Sequence, residues 1–137
     1  MDCLEELKEN FLAEPYARRF GIEAVEIEPG RSLVRMRADG SMNNIFGSLH
    51  GGAIFSLMDA AFELCVNSHG TVAVALSISL NYLNPASAGE TLLAEGREVS
   101  RSSRISACEI KVTGEDGRLI ATAQALAYRK RDPLPFL

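Results

Sequence analysis

The sequence is poor in the residues that build disulfide frameworks and metal centres. Its three cysteines, Cys3, Cys65 and Cys108, form neither a CxxC pair nor a zinc-finger spacing, so we expect reduced thiols in a cytoplasmic protein. Only two histidines occur, and no carboxylate or cysteine stands at a suitable distance from them along the chain. This pattern predicts no bound metal and no cofactor.

An excess of basic charge and a long apolar run are also missing. The net charge of −4 removes the general attraction on which non-specific nucleic-acid binding depends. The longest apolar run, residues 53–66, is interrupted by Asp59 and Glu63 and is shorter than the ~20 residues of a membrane span. The first residues, MDCLEELKENF, are acidic where an export signal would be basic and then apolar. We therefore expect neither nucleic acid nor a membrane as a partner.

The composition is that of an ordinary globular protein. Hydrophobic residues make up 47% of the 137 residues and charged residues 23%, and no repeat or low-complexity segment is present. A chain of this length buries roughly two-thirds of the surface that its unfolded form exposes. The sequence predicts a single domain over residues 1–137.

Hydrophobic periodicity predicts an N-terminal helix, two strands, a long helix and then four strands. The first helix covers about residues 3–14, and a turn at residues 28–30 joins the first two strands. Residues 71–82 are the clearest strand, and its bulky predicted face carries Val72, Val74, Leu76, Ile78, Leu80 and Tyr82. Strands at about 91–101, 104–113 and 118–129 follow, the last two joined by GEDG. This order indicates an α+β fold, an antiparallel sheet packed on one central helix.

A carboxylate, Asp59, stands in the middle of the apolar helix. An ionised carboxylate there is costly unless it is hydrogen-bonded, paired with a charge or exposed in a cleft. Asp59 either faces a water-filled gap or a loop N–H group, or it is a catalytic base or nucleophile at an interface. Glu63 follows four residues later on nearly the same helix face. Glu63 could raise the pKa of Asp59, act as an alternative base, or point to solvent or an arginine.

Two glycines, Gly51 and Gly52, begin this helix, so its first amides can approach a ligand oxygen without a side chain in the way. Asp59 lies eight residues after Gly51, which is ~12 Å along a helix axis. One helix cannot place both groups on one carbonyl carbon. Two copies paired about a two-fold axis, with these helices antiparallel, could bring Gly51 of one copy to Asp59 of the other. The spacing thus suggests a site shared between subunits.

The segments MNNIFGSLHGGAIFSLMDAAFELCVNSHG and SLNYLNPASAGETLLAEG resemble the hotdog-fold acyl-CoA thioesterases of the phenylacetate-degradation (PaaI) type. The likeness covers about residues 20–130. Its most specific part is an asparagine six positions before HGG and an aspartate nine positions after that histidine, here Asn44, His50, Gly51 and Asp59. The resemblance implies a long helix wrapped by a five- to six-stranded antiparallel sheet. It also implies homodimers with active sites between the subunits, which often pair into homotetramers.

The resemblance implies hydrolysis of an aryl-acyl or medium-chain acyl-CoA. In such a site the Gly51 amide would polarise the thioester carbonyl, and Asp59 of the partner would activate water or attack directly. Asn44 would position water or the thioester, and His50 would orient the turn or a neighbouring group, although a purely structural role for His50 stays open. A non-catalytic acyl-CoA or lipid-binding protein is the alternative function. The acid/base pattern of hotdog hydratases is not present.

Four further residues are candidates for substrate binding. Gly52 adds a second amide beside Gly51. Some relatives carry a hydroxyl residue on the strand after the helix, at a position that we align with Ala75, and Ser77 lies on the same predicted strand face. Arg101 and Arg104 could contact the phosphates of coenzyme A. An ordinary strand serine and a solvated basic edge are the structural alternatives.

Overall fold

The computed structural model of the chain describes residues 2–137. Its α-helices are α1 (Cys3–Leu12), α2 (Pro15–Phe20) and α3 (Gly51–Val66). The N-terminal helix predicted at about residues 3–14 corresponds to α1, and the short helix α2 that follows it was not predicted. Pro15 takes the first position of α2, where its missing N–H costs nothing, and Gly21 ends α2 with a φ of 64°.

Six strands form one antiparallel sheet in the order β1-β2-β4-β5-β6-β3. Their bounds are β1 (Glu23–Glu28), β2 (Arg31–Arg37), β3 (Thr71–Tyr82), β4 (Thr91–Arg101), β5 (Ile105–Thr113) and β6 (Leu119–Pro133). The antiparallel sheet and the long central helix are confirmed. Strands β3 and β4 begin and end at the predicted residues, whereas β6 continues to Pro133.

The long helix α3 packs on one face of the sheet, chiefly against β2, β4 and β5. Leu57, Phe62 and Leu92 are among the fully covered side chains between the two layers. The approach is close, because a Cβ atom on Gly96 would lie 3.0 Å from the carbonyl oxygen of Ala61 in α3. The hydroxyl of Ser32 donates to that same oxygen at 2.5 Å. This contact fixes how α3 sits on the sheet.

A bulge interrupts β3 near its middle. Against β6, Ala75 pairs with Ala127 and Ser77 pairs with Leu126, which leaves Leu76 without an opposite residue. An extra residue on one strand reverses the alternation of side chains beyond it.

The predicted faces of β3 were therefore wrong. The side chains that face α3 are Ala73 and Ala75 before the bulge, and Ile78, Leu80 and Tyr82 after it. Ser77 and Ser79 point to the outer face of the sheet. A period of two read from residues 71–82 allows for no inserted residue, which is why the sequence placed all the bulky side chains together.

A buried polar cluster joins the end of α3 to the sheet. The carboxylate of Glu98, with 8% of its side chain exposed, lies 2.8 Å from His69 Nε2 and accepts a hydrogen bond from Ser106 at 2.8 Å. Arg129 Nη1 lies 4.0 Å from the same carboxylate. The side chain of His69 is only 16% exposed, because it turns inward to this carboxylate.

Candidate active site

The first turn of α3 forms one wall of a cleft of about 390 Å³. Asn44, Phe46, Gly51 and Tyr82 are among the residues that line it. The loop before α3 is held by a backbone bridge between Asn43 and Leu49 and turns at Gly47, whose φ of 82° favours glycine. This cleft therefore brings together the asparagine and the glycine that the sequence spacing singled out.

His50 is the N-cap of α3 and occupies one of the free amides. Its Nδ1 atom accepts a hydrogen bond from the Gly52 N–H group at 2.7 Å. The Gly51 N–H group has no hydrogen-bond partner within residues 2–137, and its place at the helix start gives it the positive end of the helix dipole. Of the two glycines, Gly51 is thus the one whose amide is open to a ligand.

The side chain of Asn44 uses its oxygen, but not its nitrogen, for hydrogen bonds within its own loop. Its Oδ1 atom accepts hydrogen bonds from the N–H groups of Phe46 and Ser48, at 2.8 and 3.1 Å. Its Nδ2 group makes no hydrogen bond within residues 2–137. Asn44 can therefore serve a ligand best as a donor, beside the Gly51 amide.

Asp59 lies in a different cleft, of about 350 Å³. Glu14 and Tyr16 from the N-terminal segment, Glu63 from α3 and Ala75 from β3 line the same cleft. Asp59 is half-buried, so its carboxylate is only partly exposed to solvent. No pattern in the sequence pointed to Glu14, because a residue from the connector after α1 reaches this site only through the tertiary fold.

Electrostatics in this cleft favour the protonated forms of its acids. Burial raises the pKa of Asp59 above its usual value, and the nearby charge of Glu14 raises it further. Burial of the Glu63 carboxyl group, its hydrogen bond with Glu14, and the charges of Glu14 and Asp59 raise the pKa of Glu63 to about 8. The neighbour of Glu63 is thus another acid, not an arginine. A carboxylate with a raised pKa is a stronger base once it is ionised.

The two clefts share no lining residue. Gly51 and Asp59 are separated by two turns of α3, or ~12 Å of helix axis, and lie in separate clefts of one chain. The aligned strand position, Ala75, lines the cleft of Asp59 but carries no hydroxyl group. Ser77 lies on the other face of the sheet, away from both clefts.

The two candidate arginines lie at the end of the β4–β5 hairpin. Arg101 ends β4 and is exposed. The guanidinium of Arg104 lies over the ring of Tyr128, with its Cζ atom 5.9 Å from the ring centroid, and donates to the Tyr128 hydroxyl at 3.3 Å. Neither arginine lines the cleft of Gly51 or that of Asp59.

Within residues 2–137, no three His, Cys, Asp or Glu side chains are close enough together to hold a metal ion. The helices of this part of the chain are too short or too polar to cross a membrane.

Comparison with known proteins places the chain in a family. Residues 46–121 match the thioesterase superfamily. The Escherichia coli acyl-coenzyme A thioesterase PaaI is 30% identical over 113 residues, which cover 82% of this chain and 81% of that protein. A protein of Archaeoglobus fulgidus is 36% identical over 111 residues, covering 81% and 72% of the two chains.

Solved structures show the same architecture. The structure of E. coli PaaI matches with a TM-score of 0.89 at 26% identity, covering 96% of this chain and 99% of the other. A Streptococcus mutans protein bound to acetyl-CoA matches with a TM-score of 0.79 at 30% identity, covering 82% and 91%.

The fold and the family match together define a class, the hotdog-fold thioester hydrolases. Within that class the chain belongs to the thioesterase superfamily and is of the PaaI type. It is a thioester hydrolase of the acyl-CoA thioesterase family, and the resemblance of its sequence to PaaI-type thioesterases is confirmed.

Proposed function

We propose that this enzyme hydrolyses an aryl-acyl or medium-chain acyl-CoA to the free acid and CoA, in an active site shared by two copies of the chain. The Gly51 cleft of one copy would hold the thioester, and Asp59 of the other would supply the base or nucleophile. The chain would act as a single hotdog domain in a homodimer, and such dimers would pair into a homotetramer.

The separation of the two halves of the site carries this proposal. Gly51 with Asn44 and Asp59 with Glu14 lie in two clefts that have no residue in common. A donor for the oxyanion must lie about 3 Å from the carbonyl oxygen, and the base must reach water at the same carbonyl carbon. Two turns of helix exceed that reach within one chain, so a second copy is required.

The free edge of the sheet supports such a pairing. Strand β3 stands at one end of the strand order, twelve residues long, and within residues 2–137 only β6 pairs with it. Val74 and Leu76 leave 42% and 56% of their surface exposed on this strand. A long apolar edge strand is a template for pairing with another chain. Joining two β3 edges about a two-fold axis would make one continuous sheet with two equivalent sites.

The chemistry suits the residues present. A thiolate of pKa ~8.5 leaves readily, so the reaction needs a nucleophile and a stabilised oxyanion more than a strong acid. The Gly51 N–H and the Asn44 Nδ2 group are the donors available for the oxyanion. A carboxylate base can contribute ~10²- to 10⁴-fold, and an oxyanion donor ~10²- to 10³-fold.

The negative charge of the Asp59 cleft and the positive charge of Arg101 and Arg104 suggest how CoA would bind. Asp59, Glu14 and Glu63 make one cleft acidic, which disfavours the phosphates of CoA there and leaves it for the acyl group. The phosphates would instead meet local basic residues, for which Arg101 and Arg104 are the candidates. Tyr16 and Phe62 add apolar surface to the acidic cleft.

Thiol release from a panel of acyl-CoAs tests the proposal. Wild type should release CoA, and Asp59→Asn should lose ~10²- to 10⁴-fold in kcat while keeping its fold. Asp132→Asn, which removes an exposed carboxylate at the end of β6, is the matched control and should keep wild-type activity. A protein that binds acyl-CoA but releases no thiol, with or without the substitution, would be the non-catalytic alternative.

A further inference from the structure

The first peptide group of α3 is held at both ends. This group contains the carbonyl of Gly51 and the N–H of Gly52. The hydroxyl of Tyr82 donates to the Gly51 carbonyl oxygen at 2.9 Å, and the Gly52 N–H donates to His50 Nδ1 at 2.7 Å. The peptide plane next to the open Gly51 N–H is therefore clamped between a phenol and an imidazole.

The ring of Tyr82 also explains why residue 51 is glycine. Gly51 does not have a positive φ, so its backbone conformation would accept other residues. A Cβ atom there would lie 3.0 Å from Tyr82 Cζ, 3.1 Å from its hydroxyl oxygen and 3.3 Å from Cε1. The glycine is required by the closeness of this ring.

The bulge at Leu76 is what delivers Tyr82 to this place. Without the unpaired residue, the alternation that turns Ala75 toward α3 would turn Tyr82 to the outer face. With it, Tyr82 reaches across 31 residues of sequence to the helix start. The hydroxyl has no other hydrogen-bond partner within residues 2–137, and 53% of the residue is exposed. Its position thus contributes little core packing.

We propose that Tyr82 is a positioning residue for thioester hydrolysis, which holds Gly51 so that its N–H group points at the carbonyl oxygen of the substrate. This inference rests on the proposed function of the Gly51 cleft. An oxyanion donor works because it is preorganised, and a small displacement of the donor loses much of its effect. Tyr82 would act through Gly51 and not by touching the reacting atoms.

Tyr82→Phe tests this role, because it keeps the ring and removes only the hydrogen bond. We expect kcat to fall about tenfold with KM within about twofold, the size expected for one lost neutral hydrogen bond. The midpoint of thermal unfolding should change little, whereas a merely structural role would lower that midpoint and leave kcat unchanged. Ser79→Ala, which removes a hydroxyl group from the outer face of the same strand, is the control and should keep the wild-type kcat.

Coupling between the two residues gives a second readout. In a Gly51→Ala background the new Cβ would displace the Tyr82 ring, so adding Tyr82→Phe should change kcat less than twofold. Independent, multiplicative losses would overturn the inference, as would a wild-type kcat in Tyr82→Phe. The proposed function has its own separate outcomes, because it fails if wild type releases no CoA or if Asp59→Asn remains active.

Discussion

Mixing two inactive variants should restore activity if each active site combines residues from two copies of the chain. Gly51→Ala damages the amide side of every site, because its Cβ would lie 3.0 Å from the Tyr82 ring. Asp59→Asn removes the base from every site. Each variant alone should have about 1% of wild-type activity or less.

The expected recovery follows from counting sites. Random pairing of equal amounts of the two variants makes about half of the dimers mixed. A mixed dimer has one site with both substitutions and one site with neither, because the intact Gly51 and the intact Asp59 come from different chains. About one quarter of all sites are then intact, so the mixture should reach about 25% of wild-type activity.

Co-expression of the two variants under separate affinity tags, followed by thiol-release assays, measures this recovery. The matched control mixes Asp59→Asn with a chain that carries both substitutions, in which every mixed dimer lacks an intact site. A mixture of the two single variants that is no more active than its components would refute the shared site, provided that mixed dimers are recovered on both tags.

Three other outcomes follow from the structure. The pKa of Glu63 is about 8 in the folded chain, against an ordinary value of 4.5. Between pH 4.5 and pH 8 the folded chain therefore holds a proton on this group that the unfolded chain has lost. The contribution of Glu63 to the free energy of unfolding falls as the pH rises through this range. Glu63→Gln should therefore raise the Tm more at pH 8 than at pH 5. The difference should be only a few degrees, because the carboxyl group lines the cleft but is also reached by solvent, which screens its charge. An equal shift at both pH values would contradict this origin. Glu98→Ala should lower the free energy of unfolding by about 3 kcal/mol in urea denaturation, because it leaves His69 and Arg129 without their carboxylate. A loss below about 1 kcal/mol would show that the cluster is dispensable. Charge reversal at Arg101 and Arg104 should raise KM for an acyl-CoA more than for a short thioester without the nucleotide, and equal effects on both substrates would argue against phosphate contacts.

The sequence predicted most of the architecture, because helices and strands are set by periodicities that lie within a few residues. The apolar run around Asp59 predicted α3, and strand β3 was placed correctly at both ends. The features that were not predicted depend on single residues or on the register between neighbouring strands. Pro15 begins a short helix, α2, that was not predicted, and Leu76 inserts a bulge whose only signature is an offset against β6.

The candidate site divides in the same way. Gly51 and Asp59 were singled out by their places on one apolar helix, and Asn44 by the resemblance to PaaI-type thioesterases. Tyr82 was missed as a partner of Gly51, and Glu14 as a neighbour of Asp59, although both line the clefts. No local pattern marks either residue, because the sheet register and the path of the N-terminal segment bring them in.

By itself, the sequence determined that a glycine amide and a carboxylate stand two turns apart on one covered helix, because the rise of an α-helix is fixed. Only the tertiary structure decided which groups surround them. The bulge in β3 turned a tyrosine onto the glycine, and the chain after α1 put a second acid beside the carboxylate. Such contacts depend on how distant segments align, and that alignment is settled by the packing of the whole sheet against α3.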